Sequence, residues 1–176
     1  MATWWVNQGS KKGKPQNKIV WSPLRNKRGA SQWHWETMWD AVEGDKIYHY
    51  TNSFIVGESL VTKSAVKSRN PYPNNDMWES EGKLLEVDYT PYGKPIHKTK
   101  ISADNRTKFT GKNGPFNTNG DVQQGYFFPI SANFCNLLLV LSVLSLLLSL
   151  PNFRIFCSST YVPLLCEKWQ SYEIHW

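Results

Sequence analysis

Between Thr3 and Tyr89 the chain alternates short runs suited to strands with turn signals, and almost nowhere does it sustain a helical period. Thr3–Val6 is β-like and stops at Asn7-Gln8-Gly9-Ser10, and Ile19-Val20-Trp21 closes on Ser22-Pro23. Gly44-Asp45 launches Lys46–Tyr50, and Thr51-Asn52-Ser53 makes a hairpin loop into Phe54–Thr62. Lys83–Tyr89 reads as a further strand halted by Pro91, and Gly57 inside its own strand implies a bulge or a close backbone approach. Trp33–Ala41 predicts a helical turn or more, while 70–78 and 104–125 read as loops. Many short strands, Gly and Pro turns and few helices predict an α+β, mainly β domain closed as a small barrel.

Composition changes sharply at Ser131. Residues 1–131 carry 18 basic and 12 acidic side chains, whereas 132–176 carry two of each. The second part opens with Phe134-Cys135-Asn136 and runs apolar through Leu150 except for three serines. A helix apolar on every side is either buried or in a membrane. Asn136, the serines and the lack of flanking Lys/Arg favour a core helix or an altered C-terminus over a membrane anchor. The chain therefore divides into a domain at 1–131 and an apolar helix with a tail at 132–176.

Charge is as unevenly spread as hydropathy. No acidic residue precedes Glu36, yet Lys11, Lys12, Lys14, Lys18, Arg25, Lys27 and Arg28 all do. Such a run suits phosphate, either as direct contacts or as steering charge. The three cysteines all lie in the last quarter without a CxxC or an even framework, and the N-terminus shows no signal-peptide pattern. Both features lead to the expectation of a reduced, cytoplasmic protein.

Catalytic and metal chemistry find no support in the residues. His34, His49, His97 and His175 are scattered, and none has Cys, Asp or Glu partners at metal-ligand spacing. Neither a GxSxG, a P-loop nor a GxGxxG is present. The expectation is a protein that is not an enzyme and takes no cofactor or metal. What stands out instead is the presence of nine tryptophans. Trp is expensive filler, because its N–H wants a partner and its ring seldom buries fully.

Several of these tryptophans border polar groups in ways that suit a nucleobase. Trp4-Trp5 puts an indole on each face of a strand, followed by the amides of Asn7 and Gln8, each a donor and an acceptor matching a base edge. Trp21 and Ser22 end a strand where a barrel mouth would open, and Trp78 follows a long loop. Two indole faces around a flat ring contribute ~1–3 kcal/mol per stacked base, and flipping that base from a duplex costs about a few kcal/mol. An added methyl would gain a further ~0.8 kcal/mol of apolar burial.

Five segments, taken together, resemble the EVE-type domains of the PUA-like superfamily, relatives of YTH domains: Trp-Trp-Val-Asn-Gln-Gly at 4–9, Val-Trp-Ser-Pro at 20–23, His-Trp-Glu at 34–36, Val-Glu-Gly-Asp-Lys-Ile-Tyr-His-Tyr at 42–50 and Gly-Pro-Phe-Asn-Thr-Asn-Gly-Asp-Val-Gln-Gln-Gly-Tyr at 114–126. The likeness spans roughly residues 2–131 and implies a pseudo-barrel whose aromatic cage holds a flipped, modified base. Carried over by position, Trp21 and Trp78 are the cage walls, Trp5 or Trp4 a third, and Ser22, Asn7 and Gln8 lie near the base edge. The basic run from Lys11 to Arg28 would grip phosphates. Such domains occur at the N-termini of McrB-like and HNH modification-dependent restriction proteins. That context implies DNA rather than RNA as ligand, an ATPase or nuclease partner, and a role in phage defence. An RNA-binding module on the same barrel and a membrane-anchored interaction protein remain the alternatives. The apolar run after Ser131 departs from the family's pattern.

Overall fold

A computed structural model describes residues 1–8, 18–72 and 80–147. Six strands form one sheet: β1 (Thr3–Asn7), β2 (Ile19–Pro23), β3 (Lys46–Thr51), β4 (Phe54–Arg69), β5 (Glu81–His97) and β6 (Phe127–Pro129), in the order β2-β5-β4-β3-β1-β6. All neighbours are antiparallel except β1 and β3, which run parallel with Trp4 beside Ile47 and Val6 beside His49. Helix α1 (Trp33–Glu36) passes directly into a 3₁₀ turn at Thr37–Asp40. Helix α2 (Ala103–Lys108) interrupts the segment expected to be loop, and α3 (Ala132–Leu147) follows β6.

Alternation along each strand divides the apolar residues between two cores. One cluster collects Trp4 and Val6 of β1, Val20 of β2, Ile47 of β3, Val61 of β4, Leu85 and Val87 of β5 and Phe127 of β6, with Met38 and Ala41 closing over them. A single cluster fed by all six strands requires the sheet to curl upon itself, so this is the interior of a pseudo-barrel. Irregular pairing in β4 at Ile55/Gly57, Val61/Lys63 and Lys63/Val66 supplies the bends. The opposite face gathers Trp5, Tyr48, Tyr50, Ile96, Phe116 and Phe128 under Phe134 and Leu138 of α3. Each large side chain so buried contributes about 1.5–3 kcal/mol, against at most ~1 kcal/mol for a surface ion pair such as Lys63–Glu86. Burial therefore decides the fold.

Two expectations need correction. Strand β5 does not stop at Pro91 but continues to His97, because Pro91 faces Gly57 at a bulge, where a missing backbone N–H costs no ladder bond. Strand β4 likewise runs on past Thr62 to Arg69, paired throughout with β5. The bulge and close approach expected at Gly57 are both present: a Cβ there would meet the Tyr89 ring and hydroxyl and the Thr90 carbonyl. Helix α3 buries only one stripe, with Phe134 and Leu138 enclosed while Leu139, Val140 and Val143 face outward. No helix among the described residues is long and apolar enough to cross a membrane.

One buried charge organises the start of the barrel. Asp45 accepts hydrogen bonds from the Trp4 indole at 2.9 Å, the Ala2 amide at 2.6 Å and the Val42 amide at 3.1 Å. Burial alone would raise its pKa, but these bonds and the N-terminal ammonium outweigh it and hold the carboxyl below its usual value. Trp4 is thereby fixed against Phe127, their ring centroids 5.0 Å apart and stacked. Replacing Asp45 by Ala strands three donors and is expected to lower the free energy of unfolding by about 2–4 kcal/mol, read from urea melts.

Candidate nucleic-acid interface

The edges of the curled sheet, β2 and β6, meet through Tyr126. Its carbonyl accepts the Asn7 amide N–H at 2.7 Å, and its own amide donates to Nδ1 of His34 at 3.1 Å. The backbone N–H of Trp21 lies beside the phenol oxygen, where it works against the rise in pKa that burial causes. In an antiparallel edge strand alternate residues point their N–H outward, and Val20, Ser22 and Leu24 face β5. Ile19, Trp21 and Pro23 thus turn outward: the N–H of Trp21 faces Tyr126, and Pro23 has none to cap. Burial raises the Tyr126 pKa and keeps the phenol neutral.

Above this seam lies the indole of Trp21. It packs over Gly82 of β5, where any Cβ would collide with the six-membered ring, and takes the Tyr72 ring edge-on at 6.0 Å between centroids. The indole is only 4 % exposed, yet among the described residues its Nε1 has no hydrogen-bond partner, and neither does the hydroxyl of Ser22. Buried polar atoms left unpaired each cost about 1–3 kcal/mol, and the Nε1 of Trp5, enclosed in the second core, is a further such atom. Strand alternation sends Trp21 and Ser22 to opposite faces. Ser22 lies directly across from Lys83, whose ammonium is wholly buried and bonded to Glu36 at 2.9 Å.

A second polar group lines the end of β1. His49 is fully buried, with Nδ1 3.2 Å from Oε1 of Gln8 and Nε2 2.7 Å from Oγ of Ser59. Because an amide oxygen only accepts, Nδ1 carries the proton and Nε2 accepts the serine hydroxyl. Tyr89 presents its edge to the imidazole at 4.9 Å between centroids. Burial drives the His49 pKa down to about 3, so the ring is neutral at physiological pH. His34 is lowered too, chiefly by burial, in keeping with a structural histidine that receives the Tyr126 amide.

The residues expected at the site are therefore distributed as follows. Asn7 and Trp21 meet at Tyr126, whereas Ser22 points to the other face of β2 and Gln8 is engaged by Tyr50 and His49 at the end of β1. Trp5 is enclosed at 1 % exposure, stacked on Tyr50 and flanked by Phe116 and Phe134. Trp4 is held by Asp45 inside the barrel. Trp78, Lys11, Lys12 and Lys14 lie outside the described residues. Lys18 is exposed at the head of β2, and Arg25, Lys27 and Arg28 project from a tight loop at its tail. That loop is fixed by Asn26, whose Oδ1 accepts the amides of Arg28 and Ala30, and by Gly29 at φ +78°. None of the ion pairs among the described residues uses these four cations. Sequence reasoning missed Tyr72, Gly82 and Lys83, and left Tyr126 without a role. The signal for Gly82 was a glycine beside a strand paired with Trp21, which becomes visible only once register is known.

Comparison with known proteins defines the fold. No family model matches the sequence, and no curated protein does. Among solved structures, a protein of Leishmania major superposes with a TM-score of 0.53 at 13% identity, over 82% of this chain and 96% of that one. Human THYN1 in complex with 5-methylcytosine-containing DNA gives 0.51 at 14% identity, over 81% and 98%. The DUF55 domain of human thymocyte nuclear protein 1 gives 0.50 at 12%, over 80% and 98%. The chain shares the fold of these structures, a mainly β, PUA-like pseudo-barrel with a few short helices.

Two measurements test this geometry. A histidine whose pKa falls from 6.5 unfolded to about 3 folded is bound by a proton preferentially in the unfolded chain. Its stability contribution is whole above pH 6.5 and is lost as pH falls toward 3, by up to ~1.4 kcal/mol per pH unit. Denaturant melts between pH 7 and 5 should show this slope, and His49→Gln should flatten it. Gly82→Ala should displace the Trp21 indole and cost about 1–3 kcal/mol, visible as a red-shifted and broadened tryptophan emission.

Proposed function

We propose that this chain is a nucleic-acid-binding module that captures one modified base at Trp21, without turning it over. The observation that carries this reading is the buried indole of Trp21, sandwiched by Gly82 and Tyr72 with its Nε1 unpaired, beside a fold shared with a protein crystallised on 5-methylcytosine DNA. A flat ring that displaces Tyr72 from this indole gains stacking, and its edge meets the unpaired donor. Trp78 supplies the opposing wall in this reading. Exposed Lys18, Arg25, Lys27 and Arg28, on either side of β2, hold the phosphates.

The finer reading is a DNA ligand, within a modification-dependent restriction or defence system that provides an McrB-like ATPase or a nuclease as effector. Its support is the likeness of the five sequence segments to readers of that context. A cytoplasmic setting follows from the same context and from cysteine usage. An RNA ligand would be distinguished by loss of binding when the 2′-hydroxyls are removed.

Fluorescence anisotropy with oligonucleotides containing cytosine, 5-methylcytosine, adenine or N6-methyladenine, as DNA and RNA, tests the reading. One modified form should bind at least about tenfold more tightly than its unmodified partner, and Trp21→Ala or the milder Trp21→Phe should erase that preference. Neutralising Arg25, Lys27 and Arg28 should weaken all oligonucleotides alike and shallow the salt dependence. Equal binding of every oligonucleotide, unchanged by Trp21→Ala, would refute it.

A further inference from the structure

Gly82 and Tyr72 both press on the Trp21 indole, but the fold holds them very differently. Gly82 is locked in the sheet, paired with Pro23 of β2 on one side and Ser68 of β4 on the other. Tyr72 lies beyond the ladder, whose last β4–β5 pair is Arg69 opposite Glu81. There the Asn70 amide donates to the Ser80 carbonyl at 2.8 Å, and Oδ1 of Asn70 accepts the Tyr72 N–H at 2.9 Å. The tyrosine backbone is thus held by a side chain, and moving it breaks no ladder pair.

Burial separates the two rings as clearly. Trp21 is 4 % exposed, whereas Tyr72 is only partly buried and belongs to neither core cluster. Of the two, the tyrosine is the one that meets solvent. Its ring stands at 83° to the indole with centroids 6.0 Å apart, an edge contact. Such a contact is weaker than a base lying parallel on the same indole. Gly82 cannot yield to an incoming ring, but Tyr72 can.

We propose that Tyr72 is an intramolecular competitor for the base, a role that rests on Trp21 as the place where the base is received. In the free protein it covers the indole, and it leaves when a base stacks there. Competition of this kind follows population arithmetic: the apparent Kd is the intrinsic value divided by the fraction of molecules with Tyr72 withdrawn. That fraction is the same for every ligand. Tyr72 therefore weakens modified and unmodified bases by one common factor and leaves their ratio to the contacts the base itself makes. A wall of the cage would do the opposite, because it touches the base: its loss weakens binding and erodes the preference.

Two measurements decide between these roles. Without ligand, hydrogen exchange of the Trp21 Nε1–H, assigned through Trp21→Phe, should accelerate in Tyr72→Ala and keep the wild-type rate in Tyr72→Phe. In anisotropy titrations Tyr72→Ala should tighten modified and unmodified oligonucleotides together, by roughly 2- to 12-fold, the factor an edge-on aromatic contact represents, with their ratio unchanged. Tyr72→Phe, which keeps the ring, should bind as wild type. Should Tyr72→Ala melt early, Asn70→Ala loosens the turn, keeps the ring and should shift both readouts the same way by less. Weaker binding in Tyr72→Ala, with the modified-base preference lost, makes Tyr72 a wall and overturns the proposal. So does a variant whose exchange and affinities both match wild type, or a Tyr72→Phe that behaves like Tyr72→Ala. Faster exchange in Tyr72→Ala, with no variant telling modified from unmodified strands, would support Tyr72 as the cover and refute the reading of Trp21.

Discussion

The edges of this sheet meet at one tyrosine rather than through a sixth ladder of backbone bonds. Through its carbonyl, amide and phenol, Tyr126 joins Asn7 of β1, His34 of α1 and Trp21 of β2. A strand edge normally exposes a row of unpaired donors and acceptors, which invites association with other chains. Here the edge is short, the Trp21 donor faces Tyr126 and Pro23 has no N–H to expose. Because that contact is made by a side chain, the backbone on either side need not follow a common register. A seam of this kind can carry an aromatic site without tearing the ladder.

One buried polar cluster near the seam is uncharged. His49 is kept neutral by burial and passes its hydrogen bonds to Gln8 and Ser59, so the amide of Gln8 is oriented before any ligand arrives. Orienting polar groups in advance avoids the entropy of ordering them at binding. At the other end Asp45 keeps its charge because three donors surround it. The same protein thus neutralises one buried titratable group and compensates another, and both choices serve to fix β1, which bears Asn7 and leads into Gln8.

Much of the fold was legible in the sequence because period-two alternation and turn residues are local signals. The strands at Thr3, Ile19, Lys46, Phe54 and Lys83, the bulge at Gly57 and the short helix at Trp33 follow from neighbours within a few residues. Where reading failed, the deciding partner was remote. Pro91 ends a strand by local rules, but the bulge at Gly57 absorbs it. The site divides the same way. Trp21 and its serine were visible as an aromatic at a strand end, whereas Gly82, Tyr72 and Lys83 acquire meaning only from the pairing of β2 with β5. Trp4 and Trp5 could not be ranked from strand parity alone, since both faces of β1 turned out to be cores.

The central claim is that the indole of Trp21 is where a base is received. The most direct measurement is a ¹H–¹⁵N spectrum of the nine indole N–H groups, assigned by single Trp→Phe substitutions and titrated with methylated and unmodified oligonucleotide. The account requires the Trp21 Nε1–H resonance to move downfield on adding the preferred modified strand, as the donor gains a partner, while Trp4, already bonded to Asp45, stays in place. A Trp21 resonance that does not respond at saturating ligand would contradict it.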